Sequence, residues 1–176
     1  QACFNYIFMP VFVIGLMSQF VYQPVIHKLA IMWHKGEKEA FGKIILQQMG
    51  IILVLTLAAM TGGYLLGIPV LSLIYGVNLK GYRTDLLVLL AGGGMLAFVN
   101  LFHMIITVAR KQNWLIWGYL LAFLAFVLGG KAIVGYFGLL GVSVFYSIVV
   151  GTVALLFGIM TGVIVREKKN IAIKQK

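Results

Sequence analysis

Five stretches of this chain are unbroken apolar runs, each at or near the roughly 20 helical residues that cross a hydrocarbon layer. They occupy residues 4–26, 44–66, 86–108, 114–130 and 137–165, and a short outer extension over 69–76 follows the second. The runs are continuous instead of alternating, and most are about twice the roughly 10 residues of a barrel strand, so they predict helices. In lipid a helix satisfies its own backbone. Composition points the same way: 62% hydrophobic residues, 10% charged residues and a mean hydropathy of +1.04 leave too few polar groups to coat a soluble core. The expected fold class is an all-α membrane protein of about five transmembrane helices, in a single membrane domain over residues 1–176.

Five crossings place the chain ends on opposite sides, which assigns every basic residue to a side. One side carries Lys28, Lys35, Lys38 and Lys43, then Arg110 and Lys111, then Arg166, Lys168, Lys169, Lys174 and Lys176, eleven in all. The other carries only Lys80, Arg83 and Lys131. The positive-inside rule then puts the C-terminal tail, residues 166–176, in the cytoplasm. The net charge of +10 is thus accounted for by topology, and no basic soluble module is left to bind nucleic acid. The chain opens on Gln1 and has no basic residue before Lys28, which suggests a piece of a larger transporter and not a signal-peptide start. Its single cysteine, Cys3, can form no intrachain disulfide.

The first polar segment, HKLAIMWHKGEKEAFGK over 27–43, predicts a helical hairpin with Gly36 at its turn and Trp33 at headgroup level. His27 and His34 lie seven apart, but no Cys or carboxylate stands at zinc-site spacing, so no metal is expected. In YLLGIPVLSLIYGVNLKGYRTD, over 64–85, Gly67 and Pro69 are expected to interrupt the second helix, because proline has no N–H to donate. Asp85 suits the positive N-terminal end of the third span. An enzyme is not expected: there is no intramembrane carboxylate pair and no GxSxG motif. Ser18, Ser72, Ser143 and Ser147 have no matched histidine and acid, and nothing implies a cofactor.

Small and polar residues inside the spans carry the remaining information. Gly135, Gly138 and Gly141 mark the entry to the last span, while Gly158 and Gly162 form a GxxxG pair, a pattern that permits close helix crossings. All five read as helix-packing residues, and AGGGML over 91–96 invites the same interpretation. Gln19 and Gln23 share a face of the first span beside Pro24, a candidate kink. Asn100, His103 and Thr107 recur at i, i+3 and i+7 in the third, with Arg110 at its cytoplasmic end. Gln19, Gln23, Asn100, His103 and Arg110 are the substrate-cavity candidates, because polar groups inside a bilayer face protein or water. Bonding between helices is the other use of such groups. No acid lies in the middle of a span, so this segment holds no site for coupling to a cation.

Several of these stretches, in this order, resemble a known family. GIPVLSLIYG, a short polar loop, a span ending in TVARKQN, another span and YFGLLGVSVFYSIVV resemble the C-terminal half of polysaccharide flippases of the O-antigen or capsule type. These belong to the multidrug/oligosaccharidyl-lipid/polysaccharide exporter superfamily, and HKGEKEAFGK is similar to the cytoplasmic hairpin between their eighth and ninth helices. The resemblance implies twelve helices in two six-helix lobes around a central cavity, with this chain supplying the last five. It implies a bacterial inner (plasma) membrane location. Its partners would be membrane lipid, a lipid-linked oligosaccharide substrate on a polyprenyl pyrophosphate, and the N-terminal lobe missing from this chain.

Transport would proceed by alternating access, with Arg110 or Lys28 receiving the pyrophosphate at the cytoplasmic rim and Lys131 or Arg83 releasing it outside. A cation-coupled multidrug exporter of the same superfamily and a non-transporting assembly subunit are the alternatives. The topology is open to a direct check: a membrane-impermeant amine reagent applied to intact cells should label Lys80 but none of the lysines beyond Val165. Labelling of that tail from outside would overturn the assignment.

Overall fold

A computed structural model describes the backbone from Ala2 to Ile173 and the side chains of residues 5–37, 39–79, 81–129 and 140–166. The described fold is all-helical. Helix α1 (Ala2–Lys35) turns at Gly36 into α2 (Lys38–Gly62), which passes through a π-helical turn (Gly63–Gly67) into α3 (Ile68–Tyr75). A 3-10 turn (Lys80–Tyr82) leads to α4 (Arg83–Val108), and α5 (Asn113–Ile173) completes the chain. Among the described residues, four helices are long and apolar enough to span a membrane: Asn5–Lys35, Glu39–Tyr75, Arg83–Val108 and Leu140–Arg166. The protein is a multi-pass membrane protein. The expected fourth span differs, since Asn113–Gly129 is a shorter apolar helix.

Helix α5 cannot be one straight rod. Residues 19 apart in a helix are separated by about 28 Å, yet the Phe126 and Phe145 rings lie with centroids 5.9 Å apart. Tyr119 and Phe157 meet edge-on at 5.2 Å. The two arms, Asn113–Gly129 and Leu140–Arg166, therefore run antiparallel, and the chain reverses between them. Gly135 and Gly138 fall outside the described side chains, whereas Gly141 is half-buried at the start of the second arm.

The proline-containing stretch stays helical where an interruption was expected. In the five-residue register of the π turn, the carbonyl of Tyr64 points to Pro69, which has no N–H to offer. Arg83 takes over that duty: its Nη2 donates to the Tyr64 carbonyl at 2.8 Å, and its guanidinium lies 4.5 Å from the centroid of the Tyr64 ring. The helix then ends at Tyr75, where Gly76 takes the left-handed φ of 64°. Helix α1 likewise runs through Pro10 and Pro24.

Helix α4 is the axis of the bundle: 56% of its apolar window is buried, against 22%, 17% and 22% for the other long helices. One stripe of α1 meets it, comprising Ile7, Val11, Ile14, Ser18, Tyr22 and Leu29 at helical spacing. The three consecutive glycines explain how neighbours approach from three directions. Successive helical residues point about 100° apart. A Cβ on Gly92 would lie 2.7 Å from Ser147 Oγ on the second arm of α5, and one on Gly93 would lie 2.9 Å from Val11 of α1. A Cβ on Gly94 would collide with Thr56 of α2. The relation is reversed in the π turn after α2, where Gly63 and Gly67 receive Leu90 and Leu86 of α4. Ser147 adds a hydrogen bond to the Val88 carbonyl at 2.9 Å.

These contacts generate a paired expectation. Replacing Gly93 with valine forces α1 away from the axis and should cost about 1–3 kcal/mol. Gly50 is a helix-interior glycine with open space where its Cβ would be, so Gly50→Ala should be neutral or stabilising by up to about 1 kcal/mol. Thermal unfolding of both variants in one detergent checks the contrast.

Candidate functional site: a polar strip beside the central helix

Val11 rests on Gly93, and α1 and α4 run in the same direction from that contact. Gln19 is eight residues beyond Val11 and Asn100 seven beyond Gly93, so both lie about 11 Å below the contact point. Gln23 and His103 follow one turn deeper. Four of the five cavity candidates therefore occupy one layer of the membrane-spanning region.

They also share one side of the bundle. Phe8, Phe12, Gln19 and Gln23 form a single stripe on α1, and Phe8 packs edge-on against Tyr146 of the second arm of α5 at 5.4 Å. The opposite flank of α1 carries Tyr6, stacked on Tyr75 of α3 at 4.2 Å. Hence the glutamines lie on the α5 side of α1. On α4, Asn100 is one heptad below Gly93, and His103 is turned toward α5.

His103 Nδ1 is 2.8 Å from the hydroxyl of Tyr119 on the first arm of α5. Tyr119 in turn packs on Phe157 of the second arm. The histidine is thus engaged between helices while remaining half-buried, and Thr107 donates to its carbonyl at 2.9 Å. Gln19 and Gln23 are exposed and Asn100 is half-buried, with no hydrogen bond joining any of the three among the described residues. The structure places these residues along one strip, and they line none of the pockets described among the described residues.

Arg110 stands apart from the strip, at the end of α4. Its N–H donates to the Thr107 carbonyl at 3.0 Å and the next N–H, of Lys111, to the Ile106 carbonyl at 3.1 Å. This is a Schellman termination, in which glycine usually occupies the left-handed position. Arg110 occupies it instead, at φ 59°, a conformation that costs a non-glycine residue about 1 kcal/mol. Lys111 lies over the Trp114 ring at 4.7 Å and helps hold the turn into α5. The guanidinium side chain of Arg110 is exposed at this end of the bundle.

The glycine pair divides in its use. A Cβ on Gly158 would lie 3.3 Å from Phe102 of α4, closer than an ordinary contact, so the ring would have to give way, but Gly162 has nothing within 4 Å. Several polar residues take places that the sequence did not assign to them. Tyr119 is the partner of His103. Ser18, Gln48 and Thr161 are 0%, 5% and 4% exposed, and each keeps a side-chain oxygen without a partner among the described residues. Gln48 was legible in principle, since it falls on the apolar stripe Phe41, Ile45, Ile52 and Thr56. Asp85 is in the first turn of α4, yet it is buried at 4% exposure, with Oδ1 unpartnered among the described residues. Comparison with protein-family models, curated proteins and solved structures finds no match to this chain.

A double-mutant cycle tests the contact between α4 and α5. His103→Phe and Tyr119→Phe should each destabilise the protein, and the pair should show a coupling of about 0.6 kcal/mol, the usual size for hydrogen bonds between membrane helices. Strict additivity in detergent unfolding would mean that the contact contributes nothing.

Proposed function

We propose that this chain forms the C-terminal part of an exporter that flips a lipid-linked oligosaccharide across the plasma membrane by alternating access, with its C-terminus in the cytoplasm. The observation that supports this reading is the uncovered strip. Gln19 and Gln23 are exposed at the same depth as Asn100 and the His103–Tyr119 pair. Amides at that depth call for a second bundle or a water-filled cavity beside them, because hydrocarbon cannot satisfy their hydrogen bonds. The first lobe implied by the family resemblance would supply that second wall.

The chemistry fits the substrate class. Amide side chains both donate and accept, which matches sugar hydroxyls, and an arginine matches phosphate oxygens. Gln19, Gln23 and Asn100 would hold the saccharide while Arg110 attracts the pyrophosphate at the cytoplasmic rim. Rocking of the two bundles would then carry the strip from inward to outward access. The four acidic residues, Glu37, Glu39, Asp85 and Glu167, all lie near helix ends or in the tail. That weighs against cation-coupled export through this segment. A purely structural subunit would leave the exposed glutamines without a role.

Flipping of a fluorescent lipid-linked oligosaccharide by the full-length protein in proteoliposomes tests the reading. Combined Gln19→Ala, Gln23→Ala and Asn100→Ala should lower the rate at least about tenfold, the effect of losing one or two substrate hydrogen bonds. Arg110→Gly should raise thermal stability by about 1 kcal/mol through relief of its backbone and still slow flipping. Undiminished flipping in both variants would refute the assignment.

A further inference from the structure

A second feature lies away from the polar strip, on the side of the bundle where α2 faces the second arm of α5. A groove of about 850 Å³ runs there, floored by Phe98 and Phe102 of α4 and walled by Gly151, Gly158 and Gly162, with Arg166 at its basic end. Its lining is almost wholly apolar, and Gly162 is open within it, with nothing inside 4 Å of a Cβ. The small residues of this wall are therefore not fully used in packing the chain against itself.

The dimensions restrict what can lie there. From Gly151 to Arg166 the groove is about 22 Å long, somewhat more than the roughly 15 Å of one hydrocarbon leaflet. The groove is apolar and open along this whole length, so an extended acyl chain can lie in it. What favours a lipid over another transmembrane helix is the polarity at the basic end of the groove.

Polar groups occur where a lipid would need them. In the adjoining hairpin Lys35 and Lys43 offset Glu37 and Glu39, so Arg166 remains a net positive charge, and no carboxylate pairs with it among the described residues. Thr161 also lines the groove, is 4% exposed, and has an Oγ1 without a hydrogen-bond partner among the described residues. It lies five residues, about 7 Å, inward of Arg166. That is the level of the glycerol esters when a lipid phosphate sits at the arginine. Basic pockets between membrane helices favour anionic headgroups, by about fivefold for each Lys or Arg.

We propose that this groove binds one phospholipid with an anionic headgroup. Its phosphate pairs with Arg166, an ester oxygen accepts from the Thr161 hydroxyl, and an acyl chain runs over Phe102 and Phe98 along Gly162, Gly158 and Gly151. The site is separate from the proposed transport strip and does not depend on that reading.

Native mass spectrometry of the full-length detergent-solubilised protein, titrated with phosphatidylglycerol and phosphatidylcholine of equal chain length, tests the proposal. Phosphatidylglycerol should bind about fivefold more tightly. Arg166→Ala should abolish that preference without affecting the apolar groove. Gly162→Leu, which fills the groove, should remove the bound lipid, while Gly50→Leu on the exposed face of α2 should leave binding intact. Melting temperatures show which variants are folded. Equal affinity for the two lipids, or undiminished phosphatidylglycerol binding in folded Gly162→Leu, overturns the proposal. So does disulfide trapping of Gly162→Cys by a cysteine placed on another polypeptide segment, since a helix would then occupy the groove.

Discussion

The bundle depends on how closely its helices approach α4. Between helices in lipid there is no hydrophobic driving force, so cohesion comes from van der Waals contact and a few hydrogen bonds. Gly92, Gly93 and Gly94 provide that approach in a single turn, each toward a different helix. They also lie between two apolar clusters: Ile7, Val11, Ile14, Leu86 and Leu89 on one side, and Tyr22, Leu29, Leu101, Ile105 and Phe157 on the other. Any side chain at this waist would push a neighbour outward and loosen both clusters. The bulk of Leu86 and Leu90 is accommodated by Gly67 and Gly63 of the π turn, so size is complementary where that turn meets α4.

Polar groups were accommodated by two different routes. Some are satisfied locally or across helices: Thr56 donates to Ile52 O at 2.8 Å, Ser147 to Val88 O, and Arg83 serves the carbonyl that Pro69 leaves vacant. Others remain open. Gln19 and Gln23 face outward, and Ser18, Gln48 and Thr161 are buried with an unpartnered oxygen among the described residues. A buried group left in that state costs about 1–3 kcal/mol. Polar residues that incur such costs inside a membrane mark places where a ligand, water or another part of a protein enters. The strip and the groove lie on different sides of α4.

The same chemistry has different consequences at the two ends of the bundle. At the end with few charges, Arg83 is occupied in repairing the π turn and lies against Tyr64, which reduces its availability as a binding group. At the basic end, Arg110 and Arg166 have no described structural partner for their guanidinium groups, and Arg110 even adopts a backbone conformation better suited to glycine.

The sequence by itself determined that the chain is helical and lies in a membrane, because length and continuity of apolar runs depend only on hydrocarbon thickness and backbone hydrogen bonding. It also marked AGGGML as a packing site and drew attention to Gln19, Gln23, Asn100 and His103, since polar residues are rare enough in such runs to be conspicuous. It did not reveal that α4 is the axis, that each glycine serves a different neighbour, or that His103 is bonded to Tyr119. Those are relations between segments 16 to 82 residues apart, and helical periodicity specifies a face without naming what covers it. The tertiary structure decided which glycines are filled: Gly158 is closed by Phe102 and Gly162 is left open, though the two are identical within their motif. It also kept the Pro69 segment helical, because a distant arginine supplied the hydrogen bond that local sequence could not.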